Sequence, residues 1–149
     1  MRKLRRLRKW RETEAGQSLV EFAFILPAFL LLLFALVDFG RGFYTWLVVT
    51  QAAREGARAA AVQLDNNAIN AKIYGSFCTT ASPPSGCSLD TSKMTITKTN
   101  VQGARGSQAT VEVNYTFSYV TPIGGIVNLV SGGSLSAPTI SSTASMRLE

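Results

Sequence analysis

Hydrophobic and polar positions divide the chain into three unequal stretches. From Phe22 to Val37 every residue is uncharged and nearly all are apolar. The 21 positions from Gln17 to Val37 rise about 31 Å as a helix, which matches a hydrocarbon core of roughly 30 Å. Beyond that run Phe39, Phe43, Trp46, Leu47, Thr50, Ala53, Ala57, Ala60 and Leu64 follow at steps of mostly three and four, the spacing of one helical face. The pattern predicts one helix from Gln17 to about Leu64, with the polar "LDNN" from Leu64 as its stop. Gln51, Arg54, Glu55 and Arg58 form the polar side of this helix, either a solvated face or a docking face for a partner. Ala52, Gly56 and Ala60 make a ridge of small residues. Such a ridge suits a helix-helix seam or close packing on a sheet.

The remainder is rich in Thr, Ser, Gly and Val. "KMTITKTNV" and "QATVEVNYTFSYV" alternate apolar and polar positions as half-buried strands do, with "QGARG" as the turn between them. Val111, Val113, Tyr115, Phe117 and Tyr119 share one face, opposite Glu112, Asn114, Thr116 and Ser118. "TPIGGIVNLVSGGSL" reads as a loop with one helical turn at most, and "TISSTASMRLE" as a closing strand. Three strands alone bury too little, so the long helix is expected to cover the sheet. The fold class is α+β: a long N-terminal transmembrane helix continuing into an extracytoplasmic helix packed on a small antiparallel β-sheet. The expected division is a basic cytoplasmic leader 1–16, a transmembrane helix 17–38, a helical extension 39–64 and a β-rich extracytoplasmic domain 65–149.

Charge changes this picture in one respect. The net charge of +6 arises locally, because seven of the 15 basic residues lie between Arg2 and Arg11. Beyond Gly16 eight basic residues face seven acidic ones. No aromatic ladder accompanies the basic arm, so nucleic acid is not an expected partner. A basic arm directly before an apolar run places the N-terminus in the cytoplasm and everything after Asp38 across the lipid bilayer. A cleaved signal peptide has the same beginning, but "LVDFGRGFY" follows the run where small residues would be needed, so the segment is expected to remain. Cys78 and Cys87, in "CTTASPPSGC", then fall in an extracytoplasmic region, where a disulfide is the natural state. Its small loop would contribute on the order of 2.5–3 kcal/mol in the chain-entropy picture.

Few residues carry chemistry. The chain has no His, no nucleophile elbow and no phosphate loop, so neither an enzyme nor a metal or other cofactor is expected. Glu21 is the anomaly, a carboxylate at the start of the apolar run that costs about 2.5–3.5 kcal/mol near a bilayer centre and less toward an edge. Either it snorkels to the cytoplasmic boundary or it has a partner in another subunit. Pro27 removes an amide donor from the same run, which either kinks the anchor or is merely tolerated there. Asp38 and Arg41, spaced i and i+3, are expected to pair at the outer interface or to meet a partner.

"GQSLVEF" resembles the processing site of type IV pilin-like precursors, in which a basic leader ends in Gly and Glu stands fifth in the mature chain. The whole segment "SLVEFAFILPAFLLLLFALVDFGRGFYTWLVVTQAAREGARAAAV" is similar to the TadE-like family, minor pilin-like proteins of the tight-adherence (Tad, or Flp-type) pilus. Val20-Glu21-Phe22, Pro27, the junction Asp38 to Arg41 and "AAREGAR" at Ala52 to Arg58 carry the resemblance, and "STASMRLE" looks like the family's ending. Gln17 stands where many major pilins have an aromatic residue. The resemblance implies a pilin-like fold in the inner membrane and a prepilin peptidase that cuts between Gly16 and Gln17. It implies as partners other Tad pilin-like subunits, met through Glu21, Phe22 and Pro27, and the inner-membrane assembly platform. The new α-amine at Gln17 would pair with Glu21 of a neighbouring subunit. The alternative is a permanently membrane-anchored extracytoplasmic binding module that never enters a filament.

Overall fold

The computed structural model describes residues 14–133 and 138–149; most of the expected leader, residues 1–13, lies outside the described residues. Helix α1 runs unbroken from Glu14 to Ala61, 48 residues or about 72 Å. It passes through Pro27, whose missing N–H leaves the Ala23 carbonyl without its helical donor. From Gly16 to Val37 its side chains are exposed, save the half-exposed Leu26 and Phe34. Among the described residues this is the one helix long and apolar enough to cross a membrane.

The end of α1 is set by local geometry rather than by polarity. Gln63 adopts a left-handed φ of 54°, and the Gln63 and Leu64 amides turn back to the carbonyls of Ala60 at 2.8 Å and Ala59 at 3.3 Å. That pair of bonds closes a helix and satisfies its orphan carbonyls. The helix therefore stops three residues before the expected Leu64. Asp65, read as part of a stop signal, instead starts the second helix, α2 (Asn66–Gly75), by accepting the Ala68 amide at 2.6 Å. Ile69 and Ile73 of α2 are fully buried.

Two strands follow, β1 (Cys78–Ala81) and β2 (Pro84–Cys87), antiparallel with Cys78 opposite Cys87, and the two cysteines form a disulfide. A 3-10 turn at Thr91–Lys93 leads into β3 (Met94–Thr99), β4 (Gln108–Thr116), helix α3 (Ile123–Val130) and β5 (Thr139–Arg147). The main sheet has the order β3-β4-β5 and is antiparallel throughout, with Val113 between Ile96 and Ser142. The structure is α+β, as expected. The strands match the alternating stretches, with β4 ending at Thr116 and β3 starting at Met94. Two helices depart from the sequence reading: α2 was not foreseen, and α3 has two turns where one at most was expected.

Ala109, Val111, Val113 and Tyr115 of β4 are buried, with Phe117 beyond it, against Val49, Ala52, Ala53, Ala57 and Ala60 of α1. Alanines let the backbones of helix and sheet approach, and β-branched valines fill the pleated side. The small-residue ridge thus packs within the chain. A Cβ built on Gly56 would lie 2.8 Å from Ile73 Cγ1 and 2.9 Å from Val111 Cγ1, so α1 is wedged between α2 and β4 at this glycine. Lys98 of β3 closes the far side, donating to Asn66 O at 3.2 Å and to Asn70 Oδ1 at 2.9 Å. Its partial burial pulls the ammonium below the ordinary lysine range.

Phe39, Phe43, Trp46 and Leu47 do not turn toward the domain: they are 72%, 53%, 47% and 47% exposed. On this part of α1 the residues that face the domain are Asp38, Gly42, Thr45 and Val49, at steps of three and four. The apolar row is therefore the outer side of the helix, and the inner side is small or polar until Val49 enters the core.

Candidate functional site

The polar inner side begins at the end of the apolar run, and it forms a junction between α1 and the segment linking β4 to α3. Asp38 is only 5% exposed. Its Oδ1 accepts the Val120 amide at 3.2 Å, and its Oδ2 accepts a short hydrogen bond from Thr121 Oγ1. Thr121 Oγ1 in turn accepts the Ile123 amide at 3.4 Å, at the first turn of α3. Arg41 Nη1 lies 3.4 Å from Asp38 Oδ1 and donates to Ser118 O at 3.3 Å. The guanidinium also stands 5.3 Å from the centroid of the Phe117 ring, within cation-π range.

Asp38 and Arg41 thus do approach each other, but their pairing is the weaker part of the arrangement. Arg41 is 44% exposed, and an exposed pair at that separation contributes little. The strong bonds are those from Val120 and Thr121 to a buried carboxylate, because hydrogen bonds to charged groups are worth about 1.5–3 kcal/mol. The helix passes the Phe117 ring at Gly42, where a Cβ would meet it at 3.9 Å, an ordinary contact. The result is a clamp that holds the domain at one height and one rotation on the emerging helix.

The remaining predicted residues are not gathered into this junction. Gly16, Gln17, Glu21, Phe22 and Pro27 are strung along the exposed half of α1, where Glu21 makes no ion pair among the described residues. Arg54 and Arg58 are exposed and Glu55 is half-buried on the outer side of α1, where shallow depressions also touch Lys72 of α2. Among the described residues no cluster of three His, Cys, Asp or Glu side chains would hold a metal ion. Sequence reasoning passed over Ser118, Val120 and Thr121, which lie roughly eighty residues from Asp38. The one local signal was Thr121-Pro122 ahead of an apolar run, since a hydroxyl residue followed by Pro commonly opens a helix.

Fold and junction together define a class: a single apolar helix carrying a small α+β domain, with a polar clamp where the two meet. Residues 16–58 match the family model described as TadE-like protein, so the chain carries the TadE-like segment on which the sequence resemblance rested. The match covers 43 of the chain's 149 residues. No curated protein and no solved structure matches the chain.

Proposed function

We propose that this protein is a minor pilin-like subunit that takes part in assembling a Tad/Flp-type pilus for adhesion or surface attachment, with a structural rather than a catalytic role. It sits in the inner membrane with its N-terminus in the cytoplasm and its domain outside. A prepilin peptidase removes the basic leader after Gly16. It then joins other Tad pilin-like subunits through the assembly platform. The observation that carries this reading is the first half of α1, where a row of fully apolar side chains such as Phe24, 80% exposed, is interrupted by Glu21. Lipid alone covers the apolar residues but gives the carboxylate nothing. A neighbouring subunit supplies both an apolar surface and, after cleavage, a cationic α-amine.

Replacing Glu21 by Ala separates this role from that of a permanently anchored binding module. As an anchor alone, the variant inserts as well as or better than the wild type and works normally. As a pilin-like subunit it reaches the membrane at normal levels but fails to co-purify with pilin-like partners, and surface pili are lost. Normal piliation at equal membrane levels would remove the pairing mechanism.

A further inference from the structure

Helix α3 is the least accommodated element of the domain. It contains no charged residue, and none of its residues is buried. Leu129 and Val130 are 84% and 83% exposed, Ile126 is 43% exposed, and Val120 just before the helix is 69% exposed. In water such a patch is a liability on a small domain. Its position is what gives it a use. The segment that starts α3 is tied to Asp38 through Val120 and Thr121, so the helix begins level with the residue that ends the apolar run of α1.

The outward row on α1 fixes where the bilayer boundary lies. Exposed apolar residues run from Leu19 to Leu47, about 42 Å along the helix, which exceeds the roughly 30 Å of a hydrocarbon core and carries the last of them into the outer interfacial region. Phe39, Phe43 and Trp46 occupy the last part of that length, where aromatic side chains gather at membrane interfaces. Asp38 lies about 28 Å beyond Leu19, near the outer edge of the hydrocarbon. The beginning of α3 is therefore at the lipid-water boundary, and eight residues of helix reach only about 12 Å from it.

We infer that α3 is a second membrane contact, seated in the outer-leaflet interface of the bilayer that α1 crosses, with Ile126, Leu129 and Val130 directed into lipid. This rests on the membrane-anchored reading of α1. The Asp38 clamp is then a positioning device: it holds α3 at interfacial depth and limits how the domain swivels about the anchor. Two short apolar contacts on one rigid body set an orientation that a single helix does not.

The test uses the full chain in vesicles of phosphatidylethanolamine and phosphatidylglycerol, with one nitroxide label at an introduced cysteine, the native pair being occupied by its disulfide. Labels go on Leu129→Cys, on Leu32→Cys in the middle of the apolar run and on Thr95→Cys, exposed on β3. Collision rates are read with oxygen, which concentrates in lipid, and with a water-soluble nickel chelate. Oxygen is expected to dominate at positions 32 and 129, more strongly at 32, while nickel dominates at 95. Lipid at 32 with nickel-dominated collisions at 129 overturns the seating of α3 and leaves the anchor intact. Shielding of 129 from both reagents also overturns it, assigning the patch to a second protein surface. Nickel-dominated collisions at 32 overturn the anchor itself.

Discussion

Asp38 and Val120 are 82 residues apart in sequence and joined by a hydrogen bond of 3.2 Å between a carboxylate oxygen and a backbone amide. This contact, with its neighbour from Thr121, makes the long helix and the sheet domain one mechanical unit at the place where the apolar run ends. Replacing Asp38 by Ala leaves the Val120 amide and the Thr121 hydroxyl without their acceptor in a half-closed site. The expected loss is about 3–6 kcal/mol for two bonds to a charged group, with Asp38→Asn losing roughly half of that. Hydrogen exchange in detergent should show the amides of Val120, Thr121 and Ile123 opening first while β4 remains protected. Unchanged protection at those amides would mean the clamp contributes nothing.

Gly56 and Gly40 both lie inside α1, and the structure assigns them opposite responses to the same change. At Gly40 an added methyl meets nothing within 4 Å. Gly40→Ala should therefore gain up to about 1 kcal/mol from helix propensity. At Gly56 the same methyl overlaps Ile73 and Val111, both fully buried. Overpacking of this kind costs about 1–3 kcal/mol and outweighs the propensity gain. Thermal unfolding should place Gly56→Ala below the wild type and Gly40→Ala at or above it. Trimming Ile73 to Val should recover part of the Gly56→Ala loss, which a general helix defect would not allow.

The disulfide joins directly opposed residues of β1 and β2, so its loop is short. Replacing Cys78 and Cys87 together by Ser should cost on the order of 2.5–3 kcal/mol. The damage should be confined to the hairpin and the adjoining end of α2, leaving the β3-β4-β5 sheet folded. Alkylation of envelope protein before reduction should find no free thiol.

Processing is the prediction closest to the proposed role. Gly16 is exposed and a Cβ there meets nothing within the chain, so Gly16→Leu should leave the fold unchanged. A peptidase that receives the residue before the cut in a tight site needs Gly for its missing side chain. In a host with the peptidase, mass spectrometry should find mature wild-type protein beginning at Gln17 and Gly16→Leu protein keeping its leader. Full-length chain alone in both would end the processing proposal while leaving the membrane anchor untouched.

The sequence by itself determined whatever depends on neighbours along the chain. An apolar run of bilayer length has one low-energy form in lipid, a helix, because its backbone groups must pair within the segment. Strict alternation in β4 fixed which of its residues are buried, since a strand shows opposite faces at successive positions. The tight turn at Ser82 and Pro83 brought Cys78 and Cys87 together locally, and the TadE-like resemblance lay in one continuous stretch, so both were legible. The tertiary structure decided what depends on contacts between distant residues. Periodicity located the row Phe39, Phe43, Trp46 and Leu47 but could not say which medium it faces, because a helix leaving a membrane can turn its apolar side outward. Only the arrival of Val120 and Thr121 at Asp38 shows that the inner side is the polar one. The small-residue ridge was equally open until Ile73 and Val111 closed on Gly56 from two other elements. Helix α2 stayed hidden because Asp65 ends one helical pattern and caps the next, and the two roles share the same residue type.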